Sequence, residues 1–217
     1  MKVILSGYGR MGHMVEKELA RRGIELVEAS EDITSVDPAI AKDCVCIDFT
    51  WPESFRKNYS FIATHFKAAV VGTTGWSDIL PEVRKAFEEA GTPLIHASNF
   101  SIGVNALYAA VTRAAQMLKG YTPAIEETHH IHKLDAPSGT AKVLGELVEK
   151  SLGVKPEITS IREGEVPGIH TVTFESGCDR LTFTHEAFSR EGLAAGAVTA
   201  ALMTESITGV HEFSELL

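Results

Sequence analysis

The densest group of reactive side chains lies in Glu127-Thr128-His129-His130-Ile131-His132-Lys133-Leu134-Asp135-Ala136-Pro137-Ser138-Gly139-Thr140-Ala141. Three imidazoles and one ammonium crowd into positions 129–133 of a chain whose 20 Lys+Arg are outnumbered by 29 Asp+Glu, for a formal net charge of −9. A local cluster of cations in an acidic protein suits a small carboxylate ligand. Directly downstream, Ser138-Gly139-Thr140 opens a helical pattern. Pro137 stiffens the approach, Ser138 is a natural N-cap, and the free N–H groups of the first turn can hold a carboxylate, to which Lys133 adds a full charge. His-His-x-His also raises the question of a metal. A closed zinc site needs four tetrahedral ligands, and neither a cysteine pair nor a His-Glu-x-x-His helix supplies the remainder, so no metal is expected.

The second chemical motif is Gly7-Tyr8-Gly9-Arg10-Met11-Gly12, a full G-x-G-x-x-G after an apolar run and before a helical one. Gly7 allows the tight turn, Gly9 lets backbone N–H groups approach a pyrophosphate, and Gly12 lets the helix pack closely on the strand. The helix N-terminus supplies partial positive charge to the diphosphate, to which Arg10 and Met11 lie adjacent. Glu31 follows Gly12 by 19 residues and can accept hydrogen bonds from ribose hydroxyls. An acidic residue there repels a 2′-phosphate, whereas Arg10 attracts one. NADH is the expected cofactor, with NADPH also accepted.

These motifs need a scaffold. Residues 3–6, 24–29, 44–49, 68–72 and 93–97 read as strands, separated by helical stretches at 11–22, 52–65 and 77–90, with Pro52 in a first-turn position and Ser77 as an N-cap. Strands alternating with helices give a parallel sheet covered on both faces, a Rossmann-type doubly wound α/β unit. After Asn99 the pattern changes: a helix over 104–118, a strand over 124–129, a helix over 139–151, then 158–161, 171–175 and 181–185 as antiparallel strands. That is a central α+β domain with an open mixed or antiparallel sheet. A small-residue-rich helix over 192–208 should return to the first domain. The expected boundaries are 1–100 with 191–217 for the dinucleotide-binding domain and 101–190 for substrate binding and oligomerisation.

The chain has 217 residues, 44% of them hydrophobic and 23% charged, which excludes a disordered or collagen-like protein. An excess of acid leaves no basic field for nucleic acid or an anionic membrane. No apolar stretch approaches the roughly 20 residues of a membrane helix, and the first apolar run reaches Gly7 before a signal-peptide core forms, so a cytoplasmic location is expected. Cys44 and Cys46 alternate onto one face of a strand as buried small hydrophobes, consistent with a reducing compartment.

The segment His129-His130-x-x-Lys133-x-Asp135-x-Pro137-Ser138-Gly139-Thr140-Ala141 resembles the signature of the dihydrodipicolinate reductase family. The resemblance continues in family order through Gly9-Arg10-Met11-Gly12, Ile47-Asp48-Phe49-Thr50, Gly72-Thr73-Thr74-Gly75, Asn99-Phe100-Ser101-x-Gly103-Val104-Asn105, and Ser189-Arg190 with Gly196-Ala197. It implies a nicotinamide-binding domain made from both chain ends, a central substrate domain, and a homotetramer joined through the central sheets. It also implies that His129 is the proton donor, that His130 and Lys133 hold the substrate, and that Ser138, Gly139 and Thr140 grip a substrate carboxylate. Thr73 would lie near both nicotinamide and substrate, and Phe49, Gly72, Thr74, Asn99 and Phe100 near the cofactor. The implied activity is hydride transfer to C4 of a cyclic imine dicarboxylate in diaminopimelate and lysine biosynthesis. Two domains joined by hinges near Asn99 and Arg190 are expected to close over such a substrate and exclude water.

Three features depart from the family pattern. Ser6 stands where members more often carry a first glycine, Asp32 where many carry a basic residue, and little chain lies between Glu31 and Cys44. Two other functions compete. An aldehyde-oxidising dehydrogenase of aspartate-derived metabolism needs a cysteine nucleophile in a polar loop, for which Cys44, Cys46 and Cys178 are poorly placed. A non-catalytic NADH sensor that regulates transcription needs a basic DNA-binding element, which a net charge of −9 opposes. His96, His170 and His185 are expected at ordinary packing or surface positions, and Arg190 fits either a hinge or a substrate contact.

Overall fold

A computed structural model describes the whole chain, Met1–Leu217, which divides into two compact units: Met1–Ser101 with Leu193–Leu217, and Ile102–Gly192. The first unit runs β1 (Lys2–Ser6), α1 (Arg10–Arg21), β2 (Glu25–Ser30), α2 (Pro38–Ala41), β3 (Cys44–Asp48), α3 (Pro52–His65), β4 (Ala68–Val71), α4 (Leu80–Ala90) and β5 (Leu94–His96). The second holds α5 (Ile102–Met117), β6 (Thr122–His129), α6 (Gly139–Leu152), β7 (Glu157–Arg162), β8 (Gly168–Glu175) and β9 (Arg180–Ala187), after which α7 (Glu191–Met203) and β10 (Val210–Glu212) complete the first.

The first sheet is parallel throughout, in the order β10-β5-β4-β3-β1-β2. Its inner strands are apolar on both faces because helices cover both. Val3, Leu5, Val45, Ile47 and Val70 pack under Val15 and Leu19 of α1 and the alanine-rich face of α7. Ile4, Cys44, Cys46, Ala69 and Val71 pack under Phe55 and Ile62 of α3 and Val83 and Phe87 of α4. The period-2 alternation of strands thus sorts each run between two cores, and Cys44 and Cys46 share one face as expected.

Three details differ from the sequence reading. Pro52 does open α3, but Ser77 caps nothing: residues Ser77–Ile79 form a 3-10 turn, and Pro81, in the first turn of α4, sets where that helix begins. The sixth strand, β10, is only three residues long and carries too little pattern to read. In the second unit, whose sheet order is β7-β6-β8-β9, the 158–161 strand runs parallel to β6 rather than joining an antiparallel meander. The reason is the helix between them: β6-α6-β7 is a crossover unit, and a crossover returns the chain in the same direction.

The second unit's core is Leu107, Val111 and Ala115 of α5 and Leu144, Val148 and Leu152 of α6, set on Ile125, Val172 and Phe174 of the sheet. Ser138 caps α6 by accepting from the Ala141 N–H at 3.2 Å, as its position before the helical run implies.

The tightest joint in the first unit is between α7 and the turn after β5, where a Cβ on Gly196 would stand 1.7 Å from the Phe100 carbonyl oxygen. Neither main chain can give way without moving the helix. Gly196→Ala is expected to lose about 3 kcal/mol or more of folding stability, read from the midpoint shift in urea unfolding.

Candidate active site

In the first unit, β1 has β2 on one side and β3 on the other, so the chain reverses direction across the sheet at that point, where a crevice opens beyond the strand ends. A cleft of about 440 Å³ lies there. Of the residues predicted to hold a dinucleotide, Gly7, Gly9, Arg10, Met11, Glu31, Phe49, Gly72, Thr73 and Thr74 line it, joined by Tyr8, Thr50, Trp51 and Ser54. Gly7 has φ +85°, and a Cβ there would meet the Phe49 carbonyl at 2.8 Å, so turn and neighbour both require glycine. A Cβ on Gly72 would enter the Phe49 ring at 2.1 Å. Gly9 is the N-cap of α1 and brings no side chain to compete for the first-turn N–H groups.

Gly12, Asn99 and Phe100 do not line this cleft. Gly12 packs α1 against the turn, where a Cβ would lie 2.6 Å from the Gly7 carbonyl. The Phe100 side chain is 1% exposed, with its ring packed near Phe49 and Phe213 in the core. Asn99 Oδ1 accepts from the Ser101 N–H at 2.8 Å. Thr73 does face the cleft, but its hydroxyl is committed: it donates to Asp48 Oδ1 at 2.5 Å and accepts from the Thr50 N–H at 2.7 Å. Asp48, fully buried at the end of β3, was not singled out as a site residue. Burial raises its pKa, opposed by hydrogen bonds from Ser6, Thr73 and Thr50, and it ties the loops after β3 and β4 together.

In the second unit the His-Lys segment is built around a carboxylate that is not among the expected site residues. Glu127, on β6, is wholly buried. Arg162, at the end of β7, grips it with both terminal nitrogens, Nη2 to Oε1 at 2.9 Å and Nη1 to Oε2 at 3.1 Å. His129 Nδ1 bonds the same Oε2, and the Ser138 N–H donates to Oε1 at 3.2 Å. Burial alone would raise the Glu127 pKa, but hydrogen bonds from Arg162, Ser160 and His129 outweigh it and hold the group down at about 2. His129, 7% exposed, is shifted below the ordinary imidazole value, first by burial and then by Lys133 and Arg162, against the opposing pull of Glu127.

Lys133 Nζ donates to Asp135 Oδ1 at 2.8 Å, and His132 pairs with Glu165 at 3.3 Å in an exposed position. The local cation cluster is therefore largely compensated, because each exposed cation has found a neighbouring carboxylate. His130 approaches Arg190 Nη2 at 3.4 Å, and its buried Nδ1 has no protein partner. Ser138 is 2% exposed and its hydroxyl meets His170 Nε2 at 3.1 Å, while Gly139 and Thr140 are more open on the first turn of α6. His170 is thus more than packing: its ring stands 5.0 Å from that of His129, and burial, reinforced by His129, lowers its pKa to about 4. Glu127, His129 and His170 bring ligand atoms within 4.8 Å of one another, a spacing a metal can use. Arg162 already sets a full positive charge on both Glu127 oxygens, however, so the donor set suits a guanidinium rather than a metal ion.

A Rossmann-type unit with an acid-marked dinucleotide cleft, joined to a unit carrying a buried carboxylate-imidazole pair beside a capped helix start, defines an NAD(P)H-dependent oxidoreductase acting on a small molecule. Residues 1–100 match the family model for the dihydrodipicolinate reductase N-terminus, and residues 103–217 that for its C-terminus. The chain belongs to the dihydrodipicolinate reductase family. The 4-hydroxy-tetrahydrodipicolinate reductase of Christiangramia forsetii is 37% identical over 233 residues, covering 100% of this chain and 98% of its own. That of Archaeoglobus fulgidus is 35% identical over 246 residues, covering 93% of each. The dipicolinate-bound dihydrodipicolinate reductase from Paenisporosarcina sp. TG-14 shares the fold with a TM-score of 0.86 at 20% identity, over 100% of this chain and 99% of that one.

Removing the buried carboxylate strands Arg162, so Glu127→Ala is expected to cost about 3–5 kcal/mol at pH 7. The folded pKa of about 2 lies below the ordinary 4.5, so the carboxylate's contribution is complete above pH 4.5 and is lost as pH falls toward 2. Urea unfolding at pH 7 and pH 3 should therefore show the gap between wild type and Glu127→Ala narrowing in acid.

Proposed function

We propose that this chain is a 4-hydroxy-tetrahydrodipicolinate reductase of diaminopimelate and lysine biosynthesis, delivering hydride from NAD(P)H to C4 of the cyclic imine dicarboxylate. Family membership supports the reaction, and the observation that carries the residue roles is the anchoring of His129 and of the Ser138 N–H on one buried carboxylate. The reduced nicotinamide supplies the hydride when bound, and the protein contributes position and charge.

Hydride addition pushes negative charge across the ring toward nitrogen, and a proton must follow. His129 is the proposed donor. Burial keeps its pKa below 6.5 in the free chain, and a bound dianion raises it, so the substrate itself recruits the proton. Lys133, His130 and the first turn of α6 at Ser138, Gly139 and Thr140 hold the carboxylates, with the Lys133 ammonium exchanging its bond to Asp135 for one to the substrate. In the first unit, Gly7, Gly9, Arg10 and Met11 face the diphosphate, Glu31 the ribose, and Phe49, Gly72, Thr73 and Thr74 the remaining cofactor surface. Glu31 and Asp32 stand side by side at the end of β2, so NADH is the preferred donor and NADPH is also accepted.

The second unit's sheet is covered by α5 and α6 on one face, leaving a threonine-rich face that includes Thr171, Thr173, Thr182 and Thr184. Pairing of these faces between copies would build the homotetramer. Three free cysteines and the lack of any helix long and apolar enough to cross a membrane support a cytoplasmic enzyme.

The test follows NADH absorbance while the unstable substrate is made in the cuvette from pyruvate and aspartate semialdehyde by the preceding synthase. Wild type should oxidise NADH faster than NADPH; no oxidation of either overturns the proposal. His129→Gln should lower kcat by about 10²–10⁴-fold with little change in KM, and Lys133→Ala should damage both. If His129 is the acid, kcat/KM falls on the alkaline side from below the ordinary imidazole value of 6.5, while kcat holds to higher pH.

A further inference from the structure

Hydrogen-bond donors from Arg162, His129, Ser138 and Ser160 converge on Glu127. Oε2 receives His129 Nδ1 and Arg162 Nη1, and Oε1 receives Arg162 Nη2 and the Ser138 N–H. Arg162 spends further donors on the loop between these groups: Nη2 reaches the Asp135 carbonyl at 2.7 Å and Nε the Lys133 carbonyl at 3.4 Å. One ion pair thus touches the strand that carries the proposed acid, the cap of the helix that grips a carboxylate, and the main chain on which Lys133 rides.

We infer that Glu127 and Arg162 are the positioning residues of the reaction: Glu127 holds the His129 proton on Nδ1 and leaves Nε2 for proton exchange, while Arg162 locks that orientation to the carboxylate-binding loop. The inference rests on the reductase assignment above. Only an ionised carboxylate satisfies the site, because an amide brings an –NH2 that would face groups already pointing their own donors inward. The far edge of the imidazole is kept open by Gly168: a Cβ there would come within 3.0 Å of Nε2. His170, from β8, stands edge-on to the ring, held through Ser138 rather than bonded to His129.

The two residues push the His129 proton in opposite directions. Glu127, on the same strand, favours the imidazolium, whereas Arg162 from β7 and Lys133 from the following loop disfavour it, with His170 from β8 and His185 beyond it on β9 near neutral pH uncharged. Arg162 offsets part of the pull of Glu127 while fixing the geometry.

The experiment measures kcat/KM against pH for wild type, Glu127→Gln and Arg162→Gln in the coupled assay. Glu127→Gln should lower kcat by about 10²-fold or more and move the alkaline limb to lower pH. Arg162→Gln should raise KM and move the limb to higher pH. A purely structural pair would lower stability in both variants without opposite displacements of the limb. Limbs that coincide with wild type, with kcat within about threefold, overturn the inference. Should either variant fail to fold, ¹⁵N NMR of the His129 ring in wild type decides: a proton on Nδ1 at pH 8 supports the inference, and one on Nε2 refutes it. Failure of the reductase assignment is separate, since wild type would then oxidise no NADH at all.

Discussion

A carboxylate removed from water must be answered by donors, and Glu127 is answered from four directions. The cost of burying a charge is several kcal/mol, recovered only where the partner geometry is good and the remaining lone pairs are filled. Arg162 meets that requirement with a two-point grip, which a lysine ammonium cannot reproduce. Because the grip needs β7 beside β6, the parallel pairing of these strands and the α6 crossover that produces it are conditions of the site as well as of the fold. The cap of α6 falls on the same carboxylate through the Ser138 N–H, so the start of the helix and the orientation of His129 are set together.

The first unit solves a comparable problem with backbone and small residues. Its cleft forms where loops leave adjacent parallel strands, and those loops are pinned to one another: Phe49 N–H to Ser6 O at 3.0 Å, Gly7 N–H to Ser30 O at 2.9 Å and Gly72 N–H to Asp48 O at 2.9 Å. Asp48 adds the side-chain tie through Thr73 and Thr50. A dinucleotide site needs main-chain N–H groups at fixed positions more than it needs reactive side chains, which is why glycines and one buried acid suffice.

The parts legible in the sequence are those in which a local pattern and a tertiary requirement coincide. Strand-glycine-helix at residues 3–21, the proline start of α3 and the serine cap of α6 each depend on neighbours within a few positions. Glu127 and Arg162 were not legible as a pair because their contact spans 35 residues and depends on strand register; alternation places Glu127 on the same face as Ile125 and His129 but does not name its partner. In Glu126-Glu127 one side chain is exposed and the next buried, a distinction made by the sheet's second face. Phe100 sits in a family motif next to Asn99, and no local pattern indicates that its ring turns into the core against Phe213. His170 carried no local signal at all, since its neighbourhood comes from β6 and from Ser138.

The electrostatics of the molecule follow from the same compensation. With a net charge of −9, the chain repels a dianion at long range, so attraction must come from cations that act at contact distance. Yet Lys133 rests on Asp135, His132 on Glu165 and Arg162 on Glu127. These pairs differ in what they can release. Asp135 is half exposed, so breaking its pair with Lys133, as the proposed substrate role requires, would cost little, because water takes over the freed anion. Glu127 has no access to water, so Arg162 cannot leave it without stranding a buried charge. The exposure of the partner carboxylate therefore divides the two cations into one that can be released and one that must hold, and the held pair fixes the loop on which Lys133 rides.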